Sequence, residues 1–122
     1  MAEHNFIGKW GEDLAVDYLV GKGYAILERN WRLGHLEIDI VAMKDDRVAF
    51  VEVKTRVNPD DDPIEAVDRR KMMHMIRAAN AYFSATKLPH DPQFDIIGIS
   101  GTPEDYTLEH IPDAFLPPLK SY

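Results

Sequence analysis

Residues 37–56 constrain the fold more than any other stretch. Two strand-like runs, 37–43 and 48–56, alternate side chains across a sheet and are joined by a short turn around Asp45 and Asp46. Such a pair closes as an antiparallel hairpin, and a two- or four-residue loop centred between the two aspartates gives the same register. Asp39 then lies directly across from Glu52, and Glu37 directly across from Lys54, with opposed Cβ atoms about 4.5–5.5 Å apart. Side chains two apart on one strand share a face, so Glu37, Asp39, Glu52 and Lys54 are expected on one side at one end of the sheet. The opposite face, with Ile38, Ile40, Ala42, Ala49, Val51 and Val53, reads as uninterrupted core. On the first face Val41, Met43, Val48 and Phe50 are apolar near the turn, and the charges begin where that patch ends.

Two facing carboxylates repel, and more strongly as water is excluded. A like-charge pair directly opposed destabilises a sheet that holds no ligand. A divalent cation removes the conflict, and hard oxygen ligands on adjacent strands suit Mg²⁺ or Mn²⁺. The ammonium of Lys54 beside them could hold or deprotonate a water and offset charge building on an attacked phosphate. Metal, water and cation on one patch are the equipment of phosphodiester hydrolysis. The same register also admits a plainer reading, a solvated rim with an ordinary Glu37–Lys54 ion pair.

The flanking sequence reads as α-β-β-β-α-β-β, a mixed sheet flanked by helices. An opening helix over about 5–22 carries Phe6, Ile7, Trp10, Leu14, Tyr18 and Leu19 at three- and four-residue steps, with Asn5 as N-cap and Gly23 as the left-handed stop. A strand over 24–31 places Tyr24, Ile26 and Glu28 on one side, and Ala25, Leu27 and Arg29 on the other. A second helix begins at Ala66 or Asp68 and runs to about Ala85, with Met72, Met75, Ile76, Ala79, Tyr82 and Phe83 as its apolar stripe. Short strands are expected at 94–100 and 106–111. Pro112, Pro117 and Pro118 make residues 112–122 an extended, mobile tail.

Length and charge bound the function. With 122 residues the chain reads as a single domain, 1–122, able to bury one core. A net charge of −7 argues against generic coating of nucleic acid, which needs a broad basic footprint. Base is nevertheless clustered at Lys54 and Arg56, and again at Arg69, Arg70, Lys71 and Arg77, while acid gathers at Asp45, Asp46 and residues 60–62. This distribution leaves room for a locally basic face on an acidic protein. Cysteine is absent, so disulfides and thiolate chemistry are excluded, and a cytoplasmic setting fits. No apolar run reaches the roughly 18–20 residues of a bilayer span, so no membrane partner is expected. His4, His35, His74, His90 and His110 share no ligand spacing and receive no role. Trp10 and Trp31 read as core or edge packing, with base stacking the weaker option for Trp31.

Asp39 followed by Glu52-Val53-Lys54 on the next strand is similar to the metal-binding signature of the PD-(D/E)XK nuclease superfamily. More narrowly, the chain resembles the YraN family, related in fold to Holliday-junction resolvases and restriction-endonuclease-like proteins. The likeness runs from Gly8 to about Gly98 and includes Gly8-x-x-Gly11-Glu12, Ala15, Arg29-Asn30-Trp31, Glu37-Ile38-Asp39, Val51 to Arg56, Ala66-Val67, Lys71 and Phe94-Asp95. It implies a restriction-endonuclease-like α/β fold, with Asp39, Glu52 and the Val53 carbonyl as metal ligands and Lys54 positioning water. Glu12 would be an extra carboxylate reaching the site from the first helix. The match at Lys71 implies a contact with a nucleic-acid backbone, and junction-cutting relatives suggest a homodimer; on charge and position alone Arg56, Arg69 and Arg70 suit the same backbone, with a solvated helix face the equal alternative for Arg69 and Arg70. Two positions depart from the family pattern: Leu36 where glycine is usual and Gln93 where arginine is common.

Overall fold

The hairpin forms where the alternation places it. In the computed structural model, which describes residues 2–58, 68–88 and 91–116 with side chains from Phe6 onward, β2 (Leu36–Lys44) and β3 (Arg47–Arg56) pair antiparallel from Lys44↔Arg47 to Ile40↔Val51. Asp45 and Asp46 both take left-handed φ values, 52° and 67°, as a primed two-residue turn requires. Before the hairpin come α1 (Ala2–Gly21) and β1 (Ala25–Leu33), and after it α2 (Arg69–Thr86), β4 (Asp91–Thr102) and β5 (Asp105–Ile111). The order is therefore α-β-β-β-α-β-β. The five strands lie in chain order in one sheet, antiparallel except for β3 and β4, which run parallel with α2 in their crossover. This mixed α/β architecture is consistent with a restriction-endonuclease-like fold.

A helix covers each face. Met75, Ala78, Ala79 and Tyr82 of α2 bury against Ile38, Val41, Val48, Phe50 and Phe94. Ala15 and Leu19 of α1 bury against Ile40, Ala42, Ala49, Val51, Ile97 and Ile99. Asp68 caps α2, its side chain accepting the backbone N–H of Lys71 at 3.0 Å, so the stripe read from Met72 to Phe83 begins on a fixed first turn. Trp31 stacks edge-on against Tyr82 and Trp10 against Tyr106, both as packing residues.

Four local expectations are corrected. Helix α1 begins at Ala2 and passes through Asn5, which is therefore not its N-cap; Gly23 does take the left-handed conformation, with φ 96°. Phe6, assigned to the buried stripe, is 60% exposed, because α1 overhangs the sheet end at its N-terminus. In β1 a register shift between Ile26 and Glu28 inserts an extra residue. Glu28 consequently leaves the side of Ile26 and accepts a hydrogen bond from the Tyr82 hydroxyl on the α2 side. Finally, the described part of the expected 112–122 tail, residues 112–116, is docked: Asp113 forms a two-pronged ion pair with Arg47 at 2.7 and 2.9 Å, and Phe115 stacks on Phe94. The acidic run 60–62, Ala66 and Val67, Pro89, His90, Pro117 and Pro118 lie outside the described residues.

Gly11 fixes how closely α1 approaches β3. A Cβ there would stand 2.6 Å from Cγ2 of Thr55, closer than packed atoms allow. Gly11→Ala should therefore cost about 1–2 kcal/mol despite alanine's better helix propensity, and adding Thr55→Ala should restore most of it. Urea melts of the single and double variants check this; an unimpaired single variant would contradict the contact.

Candidate metal and phosphodiester site

The β2–β3 ladder stops at Ile40↔Val51, and the next pair in register is Asp39 and Glu52. There the strands part, and the carboxylate of Asp39 fills the opening, Oδ2 accepting the backbone N–H of Val53 at 2.8 Å. Arg29↔Ile40 and Trp31↔Ile38 bracket this point on the other neighbour, where Asn30 adopts φ 52°. The irregularity turns the strand. Ile38 joins the α2-side core while Ile40 joins the α1-side core. The uninterrupted face from Ile38 to Val53 is thus not formed, and Asp39 sits at the crossover between the sheet's two faces.

Helix α1 supplies Glu12 from one side. The close approach at Gly11 sets Glu12 beside Asn30, whose side-chain amide donates to it, and near Asp39. Burial raises the Glu12 pKa; the Asn30 hydrogen bond opposes that shift, and the Asp39 charge adds to it. Helix α2 supplies Lys71 from the other side, its Nζ 2.8 Å from Oε2 of Glu52. Glu52 is 7% exposed, so this is a largely buried ion pair. Burial weakens the Lys71 ammonium, but the Glu52 hydrogen bond and the charges of Glu52, Asp39 and Glu37 outweigh it and raise its pKa.

Asp39 and Glu52 face each other where the β2–β3 ladder ends. Burial is the largest cause pushing the Asp39 pKa up, to about 8, followed by the hydrogen bond and charge of Glu52; the Val53 N–H and Lys71 only partly oppose this. Two hard acidic side chains facing each other, Asp39 half-buried and Glu52 buried and paired with an ammonium, are a donor set that a divalent cation would fit. Among the described residues, no three His, Cys, Asp or Glu side chains already converge as a ligand shell. A fit therefore rests on Asp39 and Glu52, with Glu12 nearby and the remaining ligands from backbone or water.

The expected Glu37–Lys54 pair is not formed. Glu37 lies opposite Arg32 on β1 and bonds it at 3.3 Å, because β2 has already separated from β3 at that level. Lys54 stands on β3 beside Gly98 of β4 and lines an open cleft beyond Val53, with no ion-pair partner among the described residues. The ammonium beside the carboxylates is thus that of Lys71, for which a backbone-binding role is expected from the resemblance. No register rule joins a helix residue to a strand, so only its place in the capped first turn could have suggested this. Arg56 also lines the cleft, and Arg69 and Arg70 are exposed at the start of α2.

A second polar cluster was missed. Asp95 is fully buried, accepting from Gln93 Nε2 at 2.9 Å, from His110 Nε2 at 2.7 Å and from the Asp113 N–H at 3.1 Å. The carboxylate can only accept, so His110 donates from Nε2, and its Nδ1 then accepts from the Tyr18 hydroxyl at 3.1 Å. The amide of Gln93, where arginine is common in the resembling family, thus serves the buried acid. One signal was available: an aspartate between Phe94 and Ile96-Ile97, in an otherwise apolar strand.

A mixed α/β domain with a buried acidic pair at a strand parting, approached by a helix from either side, is the class the fold and site define. The chain belongs to the uncharacterised protein family UPF0102, whose family model matches residues 11–99. This bears out the YraN resemblance at the level of the family. It is 48% identical over 120 residues to a UPF0102 protein of Bacteroides thetaiotaomicron, covering 98% of this chain and 99% of that one. A UPF0102 protein of Flavobacterium psychrophilum is 43% identical over 116 residues (94% and 98% covered), and one of Chlorobium chlorochromatii 42% over 116 residues (89% and 90%). No helix among the described residues is long and apolar enough to cross a membrane.

Proposed function

We propose that this protein is a divalent-metal-dependent nuclease of the PD-(D/E)XK type, hydrolysing phosphodiester bonds of structured or single-stranded nucleic acid in the cytoplasm. The observation that carries the reading is the Asp39–Glu52 pair: two acidic side chains face each other at a strand parting, one holding the Val53 N–H and the other the Lys71 ammonium, which supplies positive charge that a metal would bring. Asp39, Glu52 and the Val53 carbonyl would hold Mg²⁺ or Mn²⁺, which when bound supplies Lewis-acid activation of water and phosphate. Lys54, free of the carboxylates, orients a water or meets the phosphate. Glu12 accepts a proton from the α1 side, its raised pKa favouring that role. Arg56, Arg69 and Arg70 meet the backbone on either side, and a homodimer would present two such sites to a branched substrate.

Branched, flapped and single-stranded DNA and RNA, incubated with Mg²⁺ or Mn²⁺, test the reading. Losing a metal ligand removes several kcal/mol of charge stabilisation, so Glu52→Ala should lower cleavage by about a thousandfold; Lys54→Ala should also abolish it. Cleavage that survives both substitutions rejects the assignment. The Lys71–Glu52 ion pair also favours a second reading, a non-catalytic nucleic-acid-binding module that holds its acidic pair closed without metal. It predicts salt-sensitive binding, no Mn²⁺ affinity and no cleavage.

A further inference from the structure

An open cleft of ≈ 950 Å³ begins at Val53, the residue whose N–H Asp39 holds. Its floor is the end of β3, residues 53–57, with Lys54 and Arg56 the cations lining it. One wall is residues 6–8 of α1, and the other is the β4–β5 turn, residues 102–104. That turn is drawn tight by Gly101, at φ 115°, where a Cβ would strike the Asp105 carbonyl. The walls present Phe6, 60% exposed, and Val57, 53% exposed. Neither serves a core.

We propose that this cleft binds an unpaired nucleic-acid strand, with a base stacked on Phe6 and phosphates on Lys54 and Arg56; this inference rests on the nuclease site proposed above. Charge decides between strand and duplex. The protein carries −7, and Lys9, Arg29, Arg32, Arg47 and Lys71 are already spent on carboxylates. Duplex binding through the backbone draws on roughly 6–10 phosphate contacts, and the cleft offers two cations, Lys54 and Arg56, beside the carboxylate of Glu104. A site with so few charges needs stacking to hold its ligand, and every base has a face for an exposed aromatic ring. Cleft size agrees, at the upper end of the roughly 300–1,000 Å³ of small-molecule pockets and so suited to a short run of nucleotides. A strand seated there meets Lys54, which the proposed chemistry also uses, on the strand that carries Glu52.

Fluorescence anisotropy with the full chain in EDTA tests this, using labelled oligothymidine, oligouridine and a duplex of equal length. The single strands should bind at least about tenfold more tightly than the duplex. Their affinity should fall with salt at a log–log slope of about −1.4, or about −2.8 if Arg69 and Arg70 also take part. Phe6→Ala should weaken them about tenfold and Phe6→Trp should not, while Mn²⁺ titration is the same in all three proteins. Duplex binding as tight as single-strand binding, or affinity indifferent to Phe6→Ala, overturns the cleft assignment even if Mn²⁺ binds and cleavage proceeds. Phe6-dependent strand binding without Mn²⁺ affinity upholds the cleft and rejects the nuclease reading instead.

Discussion

Asp39→Asn should make the protein at least about 2 kcal/mol more stable at pH 8, against an upper limit of about 6 kcal/mol set by the full shift, while abolishing its metal affinity. In the unfolded chain Asp39 ionises near 3.8, and in the fold it keeps its proton up to about 8. Between those values the folded state binds the extra proton, so wild-type stability falls as pH rises. Asparagine does not titrate, and its side-chain oxygen can still accept the Val53 N–H. The advantage of the variant is therefore nil below about pH 4 and grows until pH 8, an expected rise of about 5–10 °C in Tm for a domain of this size. Thermal melts of both proteins across this range measure it. Parallel profiles would mean that the Asp39 carboxyl is not under strain.

Lys71→Met separates the two lysines. Removing the ammonium leaves Glu52 buried without its partner, which should cost the metal-free protein about 3 kcal/mol at neutral pH. The same change removes the cation that competes for Glu52 Oε2, so Mn²⁺ affinity should rise, about tenfold, and added Mn²⁺ should restore the lost stability by mass action. Lys54→Met should do neither, since Lys54 has no carboxylate partner among the described residues; it should abolish cleavage alone. Chemical melts with and without Mn²⁺ read both effects. Mn²⁺ affinity that falls in Lys71→Met would make Lys71 a support of the metal rather than its rival.

What was legible in the sequence was whatever depends on period and local turn chemistry. Alternation over 37–56, with two aspartates able to take left-handed φ, fixed the hairpin and its register as far as Ile40 and Val51. The 3.6-residue stripe marked the face of α2 that packs on Phe50 and Val41, though not the surface it would meet. Period fails where a strand stops being regular. The bulge after Ile26 and the left-handed Asn30 opposite Asp39 are tertiary compromises, and they carry Glu28, Ile38 and Glu37 away from the faces that strict alternation assigns. Contacts between a helix and a strand lie further out of reach. The position of Glu12 beside Asp39 followed from family resemblance, and the Lys71–Glu52 pair followed from nothing in the local pattern. Phe6 fitted the α1 stripe but lies beyond the sheet's end, because periodicity does not say where the partner surface stops.

Calorimetric titration of Mn²⁺ into wild type and Asp39→Asn at neutral pH, repeated in buffers of different ionisation enthalpy, tests the site most directly. The account predicts saturable binding by the wild type with release of close to one proton, as the ion displaces the proton held at Asp39, and no binding by the variant. Equal heats from the two proteins, or none from the wild type, would contradict it.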